Sequence, residues 1–169
     1  MELTDLRKKQ IDYDWKTIYI GIVQNHFESK VISDYAVELM EKGNNDDFVT
    51  ELAWGVDSND IQQVLFELQN RYFPDLETDS NDYKIEEQKL RFVYLSELNE
   101  TVDDTEDLLK KIAEFYGNNG YPESMVEFIN YMPQEVPTSK EGLINKFHRF
   151  LSSEENKRKI KKKFPMFNI

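Results

Sequence analysis

At 169 residues, with 39% hydrophobic residues that include eleven Phe, nine Tyr and two Trp, the chain can bury a sizeable core, and its lack of cysteine excludes disulfides, thiolate nucleophiles and Cys-based zinc sites. The formal charge is −12 but uneven: Lys157, Arg158, Lys159, Lys161, Lys162 and Lys163 fall together, no acid follows Glu155, and residues 1–156 hold 15 basic against 33 acidic groups, a net −18. A body that negative repels nucleic acid, whose binding rests on neutralised phosphates, and attracts basic partners; the plainer reading is solubility alone.

The opening, Met1-Glu2-Leu3-Thr4-Asp5, is acidic and polar, without the apolar stretch of a signal peptide. Apolar runs such as Ile18-Tyr19-Ile20 are far too short to span a bilayer, so a cytoplasmic protein without a membrane partner is expected.

Helical spacing of apolar residues then recurs along nearly the whole chain. Asp14 is placed to cap a helix with stripes Trp15, Ile18, Tyr19, Ile22 and Ile20, Val23, Phe27, although its β-branched residues also suit a strand. A second helix carries Ile32, Tyr35, Ala36, Leu39 and Met40, and Gly43 stops it. Asn45 or Asp46 caps a short third helix with Phe48, Val49, Leu52 and Ala53, ended by Gly55. Ser58 is the expected cap of a fourth, with Asp60 in its first turn and Ile61, Val64, Leu65, Leu68 and Tyr72 on its stripe; Pro74 blocks its continuation.

Residues 75–82 read as a polar loop, followed by a long helix through Leu90, Val93, Tyr94 and Leu98. The helix around 104–116 shows Leu108, Leu109, Ile112 and Tyr116 before Gly117-Asn118-Asn119-Gly120. Pro122 suits the first position of a helix bearing Met125, Phe128, Ile129 and Met132, closed by Pro133 and Pro137. Thr138 with Glu141 matches a capping box for a helix with Leu143, Phe147, Phe150 and Leu151, and Ser152 with Glu155 matches another that opens the basic tail. Eight or nine helices on short loops predict an all-α fold, a compact bundle of antiparallel helical hairpins forming a single domain over 1–169 with a basic tail at 157–169.

Recognisable catalytic chemistry is scarce. Two histidines, His26 and His148, both fall in helical patterns beside Phe, and neither has a second ligand nearby in sequence. The six glycines form no phosphate-binding loop, and no GxSxG elbow occurs. Neighbouring carboxylates such as Glu86-Glu87, Asp103-Asp104 and Glu154-Glu155 diverge by about 100° on a helix, and the i,i+4 pair Glu123 and Glu127 is too common a spacing to mark a site. Asp75, Glu77, Asp79, Asn81, Tyr83 and Glu86 follow the oxygen-ligand spacing of an EF-hand, but Ser80 stands where the turn demands Gly and Asp82 where an aliphatic belongs. No metal and no cofactor is expected. For the tail, lysines laid across the acidic body with Phe164 and Phe167 in the core are preferred over a nucleic-acid or membrane patch.

The most distinctive stretch is Tyr121-Pro122-Glu123-Ser124-Met125 through Phe128, Tyr131, Met132 and Pro133. With Trp15 at an early helix start and the Tyr35-Ala36 and Glu51-Leu52-Ala53 helices, it resembles an uncharacterised bacterial family of small helical proteins catalogued as a domain of unknown function. The resemblance runs from about Trp15 to Pro133, and Gly120 stands where relatives often carry an acid. It implies a small helical bacterial protein without known enzymatic activity and, since some relatives sit beside toxin genes, an immunity-type role against a basic, nuclease-like toxin; no enzyme is expected. Contacts would then come from acids on loops and helix starts: Asp46, Asp47, Asp57, Asp60, Asp75, Glu77, Asp79, Asp82, Asp103 and Asp104. The rival expectations are an adaptor or self-associating scaffold that uses the apolar tail Phe164 to Ile169, and an enzyme with an unfamiliar carboxylate site.

Overall fold

The computed structural model describes residues 1–134 and 136–163, with side chains as far as residue 159. Among these the chain is all helical, with eight α-helices, one 3₁₀ helix and no strand. The all-α class expected from periodicity is what forms, including over 15–23, where a strand was the alternative. The chain divides into two compact units, Met1–Val93 and Tyr94–Ile169.

The first unit holds α1 (Leu3–Lys8), α2 (Trp15–Val23), α3 (Lys30–Glu41), α4 (Asp47–Ala53), α5 (Ile61–Tyr72) and the start of α6 (Asn81–Thr101). Asp14 caps α2 as its position predicts: its carboxylate accepts from Lys16 N and Thr17 N at 2.9 and 3.1 Å, and Asp14 N donates back to Thr17 Oγ1. Trp15, Ile18 and Ile20 are buried. The helix ends where Asn25 turns left-handed, and His26 N and Phe27 N both donate to Gly21 O. α3 buries Val31, Ile32, Tyr35 and Ala36, packs on α4, and ends at Gly43 with φ +89°. α5 packs on α2, with Tyr19 edge-on to Phe73 and its hydroxyl donating to Gln69. Trp15 links the set, edge-on to Tyr35 at 4.7 Å and stacked on Tyr72 at 5.9 Å.

The second unit is built from the end of α6, α7 (Thr105–Asn118), the 3₁₀ helix Glu123–Phe128 and α8 (Lys140–Lys163). Asp104 caps α7, accepting from Asp107 N at 2.8 Å. Leu108, Ile112, Phe115 and Tyr116 of α7 close on Leu95, Met125, Phe128, Ile129 and Phe147. The Phe128 ring lies 5.5 Å from Phe147 and 5.1 Å from Phe150, which seats the 3₁₀ helix on α8.

Several local expectations are corrected. The polar opening is helical, because Leu3 and Leu6 give α1 a buried face and Asp5 accepts from Glu2 N. The fourth expected helix starts at Ile61 rather than after Ser58, because Asp57 Oδ1 takes Asn59 N in a local turn. The Pro122 segment is a 3₁₀ helix, six residues long and shorter than the stretch to Met132. Ser139, not Thr138, caps α8: Ser139 Oγ accepts from Gly142 N, while Thr138 Oγ1 is already donating to Val136 O.

α8 also runs unbroken through Ser152, so the second capping box does not form. Lys157 and Lys159 pair with Glu154 and Glu155 one turn back, which supports continuation of the helix. Phe164 to Ile169, and with them the proposed core or docking role of the tail, lie outside the described residues.

Candidate functional site

All ten acids singled out as contact residues are exposed, but they do not form one set. Arg71 joins the start of α4 to the end of α5, its Nη1 lying 3.1 Å from Asp46 Oδ1 and its guanidinium 4.5 Å over the Phe48 ring. Lys16 at the start of α2 pairs with Asp82 at the start of α6, 2.6 Å apart. With Trp15 on Tyr72, these contacts gather the first turns of α2, α4 and α6 and the last turn of α5 at one end of the first unit. Asp46 and Asp47 open α4, Asp82 lies in the first turn of α6, and Asp75, Glu77 and Asp79 lie on the loop that leads from the end of α5 to the start of α6. Asp57 and Asp60 precede α5 and so lie roughly 18 Å away along its axis. Asp103 and Asp104 belong to the second unit.

Local duties narrow the set further. Asp46 caps α4 as well as pairing with Arg71, Asp82 is held by Lys16, and Asp104 caps α7. Lys16 draws the Asp82 carboxyl below its ordinary range. Asp47, Asp57, Asp60, Asp75, Glu77, Asp79 and Asp103 have no cationic partner among the described residues. Ser80, the departure from the EF-hand pattern, caps α6 by accepting from Tyr83 N, and its hydroxyl donates to Glu77 O. Among the described residues no three His, Asp or Glu side chains converge as a metal site.

Two polar networks were not legible in the sequence. Thr17, fully buried on α2, donates its hydroxyl to Glu86 Oε2 at 2.7 Å, and Lys89 Nζ lies 2.7 and 2.8 Å from the two Glu86 oxygens. The adjacent Glu87 accepts from Gln24, so the pair Glu86-Glu87 does diverge, one side chain inward and one along α2. In the second network, Glu38 gathers Arg7 at 2.8 Å, Tyr13 at 2.7 Å and Lys42 at 2.6 Å. Partial burial pushes the Glu38 carboxyl up, and the hydrogen bonds from Lys42, Tyr13 and Arg7 outweigh it, leaving it at about 2. Both networks join helices and satisfy their own charges, as structural ion pairs do.

The histidines part company. His26 is buried in the turn after α2, not in a helix, and burial with the nearby N-terminal ammonium lowers it to about 4. His148 is exposed on α8, 2.9 Å from Asn99 Oδ1.

The exposed surface also carries large aromatics that periodicity did not mark as sites. Trp54 is 89% exposed at the end of α4, and Phe66, off the apolar stripe of α5, is 62% exposed. In the second unit Tyr121 and Tyr131 are both exposed and both contact the buried Tyr116 ring. These two are the tyrosines of the Tyr-Pro-Glu and Tyr-Met-Pro elements.

Residues 3–155 match the model of a family described as an uncharacterized protein conserved in bacteria, DUF2247. The chain belongs to that family. The match begins within α1 and ends within α8, beyond both ends of the stretch from Trp15 to Pro133 that carries the resemblance. No curated protein and no solved structure matches the chain. Among the described residues no helix is long and apolar enough to cross a membrane.

Proposed function

We propose that this DUF2247 chain is a non-enzymatic, cytoplasmic partner-binding protein, an immunity protein that neutralises a basic, nuclease-like toxin through its acidic surface. One observation carries the reading: Asp47, Asp75, Glu77 and Asp79 lie exposed at one end of the first unit without cationic partners among the described residues. Acids already paired in place have little left to offer a partner, whereas solvated ones steer a cationic protein and lose only water on docking. A helical scaffold that positions such a surface needs no active site.

The test is co-expression with the product of the adjacent gene, followed by purification through a tag on this chain. A stable complex whose association slows steeply with salt is expected. A neighbour without toxin character that fails to co-purify ends the proposal. Replacement of Asp75, Glu77 and Asp79 by their amides locates the surface: the association rate should fall while the fold is kept.

A further inference from the structure

The three tyrosines of the second unit form an arrangement that packing alone does not require. Tyr116 is 3% exposed on α7, Tyr121 meets its ring edge-on at 5.3 Å and 82°, and Tyr131 lies 6.3 Å away at 57°. Tyr121 and Tyr131 nevertheless remain 64% and 57% exposed. None of the three hydroxyls hydrogen-bonds to a described residue. Two exposed rings therefore flank a buried one, with their polar tips unused.

The backbone holds them in place. Gly120 and Tyr121 are successive left-handed residues, φ +72° and +57°, and Tyr121 N donates to Tyr116 O at 3.1 Å. A bulky side chain at positive φ is uncommon and strained. That strain turns the chain sharply at the end of α7, bringing the Tyr121 ring back over Tyr116. On the other side, Gln134 Nε2 reaches the carbonyls of Val126, Ile129 and Met132 and clamps the segment that carries Tyr131. Lys146 in turn holds Gln134 Oε1 at 2.8 Å.

The segment that carries the cluster is acidic, although Lys146 reaches its end through Gln134. From Ile112 to Gln134 the chain has three carboxylates, Glu114, Glu123 and Glu127, and no lysine or arginine. Glu114 is paired with Lys110 at 3.9 Å, while Glu123 and Glu127 are exposed with no cationic partner among the described residues. Electron-rich ring faces inside a negative segment favour a cation, and a planar guanidinium gains from stacking and from the carboxylates together.

We infer that the exposed Tyr121 and Tyr131, held on the buried Tyr116 ring, form with Glu123 and Glu127 a preorganised docking surface for an arginine side chain of a basic protein partner. The inference rests on the partner-binding reading above but assigns it a second, aromatic surface. Tyrosine and arginine are the residue types that dominate interface energetics, which is the chemistry expected where a short segment must be recognised firmly.

The test titrates the full chain with a hexa-arginine peptide and follows the tyrosine ring signals by NMR. Binding should shift the signals of Tyr121 and Tyr131. The double variant Tyr121→Asn, Tyr131→Leu should bind about fivefold to tenfold more weakly while still unfolding cooperatively at a slightly lower melting temperature, since both rings pack on Tyr116 yet are largely exposed and Asn tolerates the left-handed backbone. Equal affinity in that variant, or no binding of the peptide at all, overturns the inference. A parallel variant, Asp75→Asn, Glu77→Gln, Asp79→Asn, keeps the two readings apart. Weakening by the acid variant alone leaves the acidic surface standing and removes the tyrosine site. Weakening by the tyrosine variant alone does the reverse.

Discussion

Thr17 and Glu86 meet in the interior of the first unit, the Thr17 hydroxyl donating to Glu86 Oε2 at 2.7 Å while both side chains are almost wholly shielded from solvent. A buried carboxylate is tolerated only where its oxygens are satisfied, and here Lys89 and Thr17 do so between them. Thr17→Val keeps the volume and removes the donor, and also the acceptor that Thr17 Oγ1 offers to Asp14 N. The expected loss is about 1–3 kcal/mol in urea denaturation, the cost of leaving buried polar groups short of partners. Thr17→Ser should recover most of it. A Val variant as stable as the native chain would mean that water reaches Glu86 freely.

Acid should destabilise the first unit in two separable stages, of which His26 provides the first. Its folded-state value of about 4 lies below the ordinary 6.5, so between these limits the unfolded chain binds a proton that the folded chain refuses. The stability is therefore complete above pH 6.5 and is lost as the pH falls toward 4, by on the order of 3 kcal/mol at most. His26→Leu should flatten that window whatever its effect at neutral pH. Urea midpoints measured at intervals from pH 7 to 4 read the slope directly, and an unchanged slope in the variant would place the titration elsewhere.

Glu38 supplies the second stage. Its carboxyl sits at about 2 against an ordinary 4.5, so its contribution is present above pH 4.5 and disappears as the pH falls through 2. Arg7 and Lys42 are largely exposed, so solvent screening holds the effect to about 1 kcal/mol. Glu38→Gln should lower the melting temperature slightly at pH 7 and reduce the slope below pH 4.5, leaving the part that the Lys16-paired Asp82 supplies. Should Glu38→Gln instead alter the slope between pH 6.5 and 4, the two stages would not be separable.

Helix identity was readable from this sequence because nearly every helix repeats its apolar residues over two or more turns, as Leu108, Leu109, Ile112 and Tyr116 do on α7. α1 escaped because six residues offer only Leu3 and Leu6, too few to establish a period. The 3₁₀ helix escaped because Met125, Phe128 and Ile129 fit either helical spacing over so short a run. Caps were legible to within a residue or two: Ser139 and Thr138 both offer hydroxyls, and only the competing bond from Thr138 to Val136 decides between them. The exposure of the ten acids followed from their places on loops and helix starts. Which of them are already engaged did not, because Arg71 and Lys16 reach Asp46 and Asp82 across 25 and 66 residues of sequence. Thr17 with Glu86 is illegible for the same reason: on α2 the threonine reads as an ordinary polar position until α6 is laid against it.

Gly21 offers the sharpest test of the packing in the first unit. In the interior of a helix, glycine to alanine ordinarily gains about 1 kcal/mol by restricting the unfolded chain. Here a methyl group on Gly21 would overlap the Phe27 ring, which lies against the glycine because both His26 N and Phe27 N bond to Gly21 O. Phe27 is 5% exposed and has no open side to retreat toward. Overpacking costs of about 1–3 kcal/mol should therefore outweigh the helical gain, and Gly21→Ala should lower stability. Phe27→Leu alone leaves a void and destabilises too. In the double variant the smaller side chain makes room for the new methyl, so the combined loss should fall short of the sum of the two single losses by about 1 kcal/mol. Chemical denaturation of the four proteins measures that coupling. A Gly21→Ala chain more stable than the native one would show that the ring moves aside at no cost, and that the tight turn from α2 into Phe27 is not what holds the end of this helix.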